Sequence, residues 1–249
     1  MGKDKVLNMN NSVDGILKML EGLNALEGLE KMATMFAGHV VFSTSFGIED
    51  QVITDMIAQK GLPVKLFTLD TGRLFQETYD VMEATMNRYK LPVEVFFPET
   101  ASVEKLMSEK GPNSFYYSLE NRLECCRIRK TEPLRRALKG NRLWISGLRA
   151  EQSAYRAKLQ QVEWDPEHEI LKYHPLLEWS FLEVQQYIAQ HHVPCNVLHN
   201  QGFPSIGCRP CTRAVVPGEE YRAGRWWWEN SHKECGLHQS KHKPYEDHQ

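Results

Sequence analysis

Five of the six cysteines stand where thiols commonly do chemistry. Cys125 and Cys126 are adjacent, and Cys208 and Cys211 form a Cys-x-x-Cys pair much later in the chain. Thiolates bind zinc and iron–sulfur clusters, so four thiols from two distant segments predict one shared metal site. Adjacent cysteines favour a [4Fe–4S] cluster, whose iron corners stand further apart, but the spacing leaves zinc or no metal open. Cys235 lies apart from this quartet.

Cys235 belongs to a Glu-Cys-Gly-Leu-His segment at 234–238. An accessible thiolate is a nucleophile, and the neighbouring Lys233 and His238 can stabilise one. The alternative is a stray cysteine in a tail. Cys195 follows a proline in an apolar stretch, and we interpret it as a packed, unreactive thiol.

The chain of 249 residues is 41% hydrophobic and 25% charged, with a formal net charge of −2. This composition is typical of a soluble globular protein, and the small charge argues against a nucleic-acid or membrane-surface binder. No apolar run is long enough for a membrane span, and the start lacks the layout of a secretion signal. We therefore expect a cytoplasmic protein. In the reducing cytosol, clustered cysteines are more often metal ligands or catalysts than partners in disulfides.

Strand-like and helix-like segments alternate along the first part of the chain. Apolar runs predict strands, and periodic patterns predict helices between them. The predicted strands are 39–43, 64–69, 93–97 and 143–146, and the predicted helices include 12–36, 49–59 and one ending at residue 89. This order predicts an α/β fold with a parallel sheet. Ligands of such sheets bind outside the carboxyl ends of the strands, where the motifs at 44–50, 70–73 and 147–149 should converge.

The turn Thr44-Ser45-Phe46-Gly47 leads from a predicted strand into a helix that carries Asp50. Free backbone N–H groups at such a turn can bind an anion, although an ordinary connecting turn has the same pattern. It is not a Walker A motif, and the bulk of Phe46 disfavours close approach of the backbone to a pyrophosphate.

Basic residues accompany both cysteine pairs. Lys130 follows Cys126 by four residues, so a helix would place both on one face, with Lys130 facing metal and substrate. The alternative is a solvated basic helix. Arginines suited to phosphate or sulfate cluster late in the chain, at Arg149, Arg156, Arg209, Arg213, Arg222 and Arg225. We interpret the tryptophans at 226–228 as a packing cluster.

Taken together, these segments resemble the assimilatory adenylyl-sulfate reductases, within the wider phosphoadenylyl-sulfate (PAPS) reductase family. The resemblance covers residues from about 38 to 240. It is carried, in chain order, by Leu-Asp-Thr-Gly-Arg at 69–73, Cys-Cys-Arg-Ile-Arg-Lys at 125–130, Gly-Cys-Arg-Pro-Cys at 207–211, Arg-Ala-Gly-Arg-Trp-Trp-Trp-Glu at 222–229 and the Cys235 segment. A joint match of five segments in order is highly specific.

The resemblance implies an adenosine-nucleotide α-hydrolase-like fold, with a parallel sheet, helices on both faces and a C-terminal lid or tail. It implies a single domain over 1–249, with a core at about 38–200 and a cluster-binding and catalytic segment at about 201–249. It also implies a [4Fe–4S] cluster on the cysteine quartet Cys125, Cys126, Cys208 and Cys211. A homo-oligomer is a family-level expectation.

The reaction implied by the resemblance is reduction of adenylyl sulfate to sulfite and AMP, in sulfate assimilation. Cys235 would attack the sulfur to give an S-sulfocysteine, and reduced thioredoxin or glutaredoxin, as a separate protein, would release sulfite. PAPS is a further substrate to consider. The implied substrate contacts are Thr44, Ser45, Phe46, Gly47, Asp50, Leu69, Thr71, Gly72, Arg73, Lys130, Gly147, Arg149, Arg156, Arg222, Arg225 and His238. The alternatives are an ATP-dependent RNA-thiolating enzyme and a nucleotide sensor with a structural metal.

Overall fold

The computed structural model describes residues 13–229 of the chain. Its strands are β1 (Val40–Ser43), β2 (Lys65–Leu69), β3 (Val93–Phe96), β4 (Leu143–Ile145), β5 (Val162–Asp165) and β6 (Ile170–Tyr173). In this part of the chain they form one six-stranded sheet in the order β3-β2-β1-β4-β6-β5. Neighbouring strands are parallel except β5 and β6, which form an antiparallel hairpin at one edge.

Helices connect and cover the strands. They are α1 over residues 13–20, α2 (Ala25–Met35), α3 (Ile48–Lys60), α4 (Gln76–Tyr89), α5 (Thr100–Lys110), α6 (Leu119–Cys126), α7 (Glu132–Leu138) and α8 (Phe181–His191). None of these described helices is both long enough and apolar enough to cross a lipid bilayer.

Apolar side chains cover both faces of the sheet. Val40 and Phe42 point into a core shared with α2, α3 and α8, whereas Val41 points into a second core with α7. A strand with two buried faces reads as a continuous apolar run, which is how the sequence predicts it. The predicted α/β class, with a parallel sheet between helices on both faces, is confirmed.

The predicted single helix over 12–36 is wrong in its middle. Residues 21–24 break it, because Gly22 adopts a left-handed backbone with φ of 77°. Asn24 then caps α2, accepting hydrogen bonds from the amides of Leu26 and Glu27, while the carboxylate of Glu27 accepts from the amide of Asn24. This reciprocal cap starts a new helix, although the apolar spacing alone runs on through the break.

The segment between α6 and α7 is a π-helical turn, Arg127–Thr131. Pro133 lies in the first turn of α7, where its missing N–H removes only the bond to the carbonyl of Arg129. The amide of Glu132 donates to the carbonyl of Arg127, five residues back. The wider turn changes which side chains share a face just after the adjacent cysteines, and such turns often occur at functional sites.

Candidate active site and cysteine cavity

A cleft opens at the carboxyl ends of β1, β2 and β4. The turns that follow these strands line it, together with residues 204–208 and, from the C-terminal side, Tyr221, Arg222 and Arg225. The structure therefore brings the three predicted motifs together, because carboxyl ends of parallel strands meet at one edge of the sheet.

The turn after β1 is held by an internal carboxylate. One oxygen of Asp50 accepts hydrogen bonds from the amide and the hydroxyl of Ser45, at 2.6 and 2.7 Å. Burial raises the pKa of Asp50 to about 6, while the bonds from Ser45 oppose the shift. Phe46 has a left-handed backbone, and its ring is buried in the core. Gly147 lies so close to Asp50 that a Cβ atom there would collide with the carboxylate.

A buried hub at Glu49 joins this turn to more distant segments. One oxygen of Glu49 accepts from Arg149 Nε at 2.9 Å, from Gln152 Nε2 at 3.0 Å and from Tyr221 Oη at 3.4 Å. Arg149 is almost completely buried and also contacts Glu151 and the carbonyl of Trp179. The hub fixes the loop after β4 and the C-terminal segment against the start of α3.

The turn after β2 forms a wall between the cleft and the cysteines. The hydroxyl of Thr71 is 3.2 Å from the sulfur of Cys208, and its carbonyl accepts from Arg129 Nη1 at 2.6 Å. Asp70 accepts from the amide of Gly72 at 2.8 Å, which fixes the turn. The guanidinium of Arg73 lies 5.1 Å from the ring centre of Phe115, on the cysteine side.

All four cysteines of the quartet line one cavity. Cys126, Cys208 and Cys211 are buried and Cys125 is half-buried. The other residues around the cavity are aromatic or cationic, with one proline: Arg73, Phe115, Arg122, Arg129, Lys130, Pro210 and Trp226. The predicted meeting of the two cysteine pairs therefore occurs. Within residues 13–229, no three His, Cys, Asp or Glu side chains are placed to hold a single metal ion.

The surroundings of the thiols suit metal ligands better than free nucleophiles. Burial raises the pKa of Cys125, and it raises the pKa of Cys211 to about 12. The nearby Cys208 adds to both shifts, and Lys130 opposes both. Such thiols stay protonated at neutral pH until a bound metal replaces their protons. Cationic neighbours then offset the negative charge of four thiolates, so these residues fit a tetrathiolate group.

Two residues line both cavities. Lys130 and Cys208 lie at the boundary, where each lines the cleft on one side and the cysteine cavity on the other. The sequence predicts this position for Lys130 on the basis of an α-helical turn, whereas the turn is a π-turn. A charge at this boundary acts on groups in both spaces.

Further cations line the cleft from the C-terminal side. Arg222 and Arg225 are buried, and Arg225 Nη1 donates to the hydroxyl of Ser205 at 3.2 Å and the carbonyl of Ile206 at 3.3 Å. The guanidinium of Arg225 also lies 4.8 Å from the ring centre of Trp226, which is fully buried. Arg156 is buried at the cleft beside Gln152. Buried guanidinium groups in one cleft are suited to bind a multiply charged anion.

Comparison with known proteins identifies the family. Residues 39–214 match the family model of the phosphoadenosine phosphosulfate reductase domain. The chain belongs to this family. An adenosine 5'-phosphosulfate reductase of Allochromatium vinosum is 50% identical over 206 residues, which are 82% of this chain and 80% of the relative. One of Agrobacterium fabrum is 46% identical over 220 residues, covering 88% and 84% of the two chains.

A solved structure has the same fold. The phosphoadenylyl-sulfate reductase of Candida auris, determined as a phosphate complex, superposes with a TM-score of 0.70 at 29% identity. The match covers 82% of this chain and 96% of that one. Together these comparisons confirm the family that the five sequence segments indicate.

Within this family member, most of the predicted substrate residues line the cleft. They are Thr44, Ser45, Gly47, Asp50, Leu69, Thr71, Lys130, Gly147, Arg156, Arg222 and Arg225. Four others lie elsewhere in the described part of the chain. Phe46 is in the core, Gly72 is in the turn beside Arg129, Arg73 faces the cysteines, and Arg149 is held in the Glu49 hub. Cys235 and His238 lie outside the described residues, so their roles stay predictions.

Several cleft residues were not predicted from the sequence. Ser146, His199, Ser205 and Tyr221 line the cleft, and Glu49 does so beside its arginine partner. Ser146 directly precedes a predicted glycine at a strand end, which is a usable signal. The others depend on loops and tertiary contacts, which leave no periodic pattern.

Proposed function

We propose that this chain reduces adenylyl sulfate to sulfite and AMP, with Cys235 as the nucleophile. The observation that carries the proposal is the shared boundary of the two cavities, where Lys130 stands between a cation-rich cleft and four clustered cysteines. Relatives named adenosine 5'-phosphosulfate reductase, which are about half identical over most of the chain, support adenylyl sulfate as the substrate. PAPS stays a second candidate substrate.

The nucleoside occupies the cleft between the β1 turn and Leu69, and the phosphosulfate lies toward Lys130, Arg222 and Arg225. The β1 turn disfavours the alternative of ATP-dependent chemistry. Its Ser45 amide already donates to Asp50, and an ionised Asp50 repels a pyrophosphate. The anionic part of the substrate is thereby directed to the arginines.

In the first step the thiolate of Cys235 attacks the sulfur of adenylyl sulfate. A sulfur–sulfur bond forms, the sulfur–oxygen bond breaks, and AMP leaves with the electron pair. Lys130 and the arginines stabilise the charge that develops on the departing phosphate. Glu229 is anchored by Arg122 at 2.8–2.9 Å, so the segment that leads to Cys235 starts beside the cysteine cavity.

In the second step a thiolate of a reduced dithiol protein attacks the sulfur of Cys235, and sulfite leaves. The second thiol of the donor then closes a disulfide, so two electrons pass from donor to substrate. Thioredoxin, with a potential of roughly −270 mV, suits this role, and glutaredoxin is the other candidate. A reducing cytoplasm is the compartment in which this chemistry operates.

We also propose that the quartet Cys125, Cys126, Cys208 and Cys211 holds a [4Fe–4S] cluster. A tetrahedral zinc needs sulfurs about 3.8 Å apart, given a Zn–S bond of about 2.3 Å. The adjacent thiols of Cys125 and Cys126 suit that compact geometry less well than the wider spacing of a cluster's iron corners. The cationic side chains around the cavity also offset the charge of four thiolates. When bound, the cluster supplies an anionic, polarisable group beside the cation-lined end of the cleft.

The test is the formation of the covalent intermediate without a reductant. Anaerobically purified protein is incubated with labelled adenylyl sulfate, and intact mass is measured. We expect one sulfonate adduct on wild type and none on Cys235→Ser. Cys195→Ser is the matched control, since Cys195 packs against the core and burial raises its pKa to about 11. An adduct on Cys235→Ser, or none on metal-loaded wild type, would refute the proposal.

A further inference from the structure

Three polar side chains on adjacent strand ends form a chain behind the cleft. Ser146 follows β4 and lines the cleft, and its Oγ is 2.9 Å from Nδ1 of His174. His174 follows β6 and is fully buried. Its Nε2 lies 3.7 Å from a carboxylate oxygen of Glu163 on β5.

The geometry favours one tautomer of His174, although Nε2 is too far from Glu163 for a direct hydrogen bond. A carboxylate facing Nε2 favours the tautomer with its hydrogen there, which leaves Nδ1 as an acceptor. Burial lowers the pKa of His174, with contributions from the charges of Lys172 and Arg156, while Glu163 opposes the shift. A neutral imidazole of this tautomer can only accept from Ser146. The hydroxyl hydrogen therefore points at His174, and the oxygen presents its lone pairs to the cleft.

The chemistry of the substrate then limits what Ser146 can contact. An ionised phosphosulfate carries acceptors and no donors, so it cannot satisfy those lone pairs. The donors of an adenosine 5'-phosphosulfate are its ribose hydroxyls and its adenine amino group. A 3'-phosphate would remove one of these donors and add negative charge.

We propose that Ser146 is a specificity-determining hydrogen-bond acceptor for a donor of the nucleoside, and that His174, backed by Glu163, is the positioning residue that keeps it an acceptor. The inference rests on the proposed nucleotide cleft but not on the chemistry of Cys235. A fixed acceptor rejects a ligand that lacks the matching donor, because the buried lone pair is left unpaired.

The test is a set of binding cycles on the full chain by titration calorimetry, without reductant or turnover. The ligands are AMP, its 2'-deoxy and 3'-deoxy analogues, and purine riboside 5'-monophosphate, which lacks the amino group and keeps N1 as an acceptor. We expect wild type to bind one of the analogues about 10-fold more weakly than AMP, the scale of one hydrogen bond. In Ser146→Ala that difference should disappear. A deoxy analogue as the sensitive ligand assigns a ribose hydroxyl, and purine riboside 5'-monophosphate assigns the amino group.

Variants at His174 test the positioning role. In His174→Leu the serine hydroxyl is free to rotate, so discrimination should fall as in Ser146→Ala. In His174→Asn the amide oxygen can replace Nδ1 as the acceptor, so this variant should discriminate between AMP and the sensitive analogue as wild type does. If these variants do not fold, the Ser146→Ala cycle alone decides. Ser43→Ala removes another cleft hydroxyl, the one that accepts from Trp144 at 2.8 Å, and should shift all affinities in parallel.

Equal losses for all ligands in Ser146→Ala, or no loss, would overturn the inference. Failure of wild type to bind AMP would overturn it together with the nucleotide cleft. Discrimination that depends on Ser146, found without a sulfonate adduct on Cys235, would leave this inference intact and defeat only the proposed chemistry.

Discussion

The cleft and the cysteine cavity differ in how the chain builds them. The cleft is formed at the ends of β1, β2 and β4, and hydrogen bonds within the protein hold its polar groups, as in the pair of Ser45 and Asp50. The cysteine cavity is bounded by short irregular turns, including Arg127–Thr131 and Arg209–Cys211. A sheet can keep a site in shape without its ligand. Buried thiols with a raised pKa instead depend on the group they bind.

The two cavities should therefore respond differently to the same kind of change. Damage to the cysteine cavity should remove metal and activity while nucleotide binding persists. Damage in the cleft should alter nucleotide affinity while the metal stays. Lys130 and Cys208 line both spaces and are unsuited to this separation.

The largest effect is expected from Cys126→Ser. Cys126 lines the cysteine cavity and is absent from the cleft lining. Loss of one thiolate should reduce bound iron to a small fraction and sulfite formation about 100-fold or more, because a tetrathiolate group needs all its ligands. AMP affinity should stay within about 3-fold, the scale of a small indirect effect. Iron assay, visible absorbance and calorimetry measure this. Full iron content in the variant would contradict the separation.

The next effect comes from the ion pair of Arg122 with Glu229, which is buried beside the cysteines. Arg122→Leu leaves the carboxylate buried without this partner, so we expect unfolding free energy to fall by about 3–5 kcal/mol, measured in urea. The matched control is Lys105→Leu, which breaks a solvent-exposed pair with Glu109 at 4.0 Å. Exposed pairs contribute about 0–1 kcal/mol. Similar losses in both variants would show that Arg122 has no special role.

Prediction from sequence succeeded where backbone rules decide position. Thr44, Thr71 and Gly147 follow strands, and parallel strands bring their carboxyl ends to one edge, so their convergence required no knowledge of tertiary contacts. It did not predict which of these side chains line the cleft and which hold the surrounding turns in place. Arg149 follows a strand at the same edge of the sheet as the cleft residues. Its guanidinium nevertheless binds Glu49, which lies 100 positions away in the chain.

The cysteine cavity was predictable by residue type and not by shape. The cysteine pairs that contain Cys125 and Cys208 predict a common site, because clustered thiols in a protein that is not held together by disulfides are usually metal ligands. The π-turn that follows Cys126 places Arg127–Thr131 out of the α-helical register, and the periodicity of the sequence does not predict it. The position of Lys130 at the boundary was thus predicted from the wrong helix geometry.

A pH-dependent effect is expected from Asp50→Asn. Burial raises the pKa of Asp50 from 3.8 to about 6. The protonated carboxyl group therefore contributes fully to the free energy of unfolding below pH 4, and this contribution is lost as the pH rises through 6. The asparagine oxygen can still accept from Ser45. The variant should therefore gain stability relative to wild type between pH 4 and pH 8, by about 2–3 kcal/mol for a shift near two pH units. Urea unfolding at both values measures this, and a constant difference would contradict it.

The smallest effect is expected from Tyr221→Phe, which removes a link between the C-terminal segment and the β1 turn. The bond from Tyr221 to Glu49 is long, at 3.4 Å, and the same oxygen keeps Arg149 and Gln152 as donors. We expect a loss of about 0.5–1 kcal/mol, seen as a 2- to 5-fold weaker AMP affinity with unchanged iron content. The control is Tyr116→Phe, whose hydroxyl donates to the carbonyl of Pro210 at 2.7 Å on the cysteine side. That variant should leave AMP affinity unchanged, since its bond lies away from the cleft. A cleft whose shape is set by its own strands should not respond to loss of the bond between Tyr116 and Pro210. Equal losses of AMP affinity in both variants would therefore mean that the two cavities form a single cooperative unit.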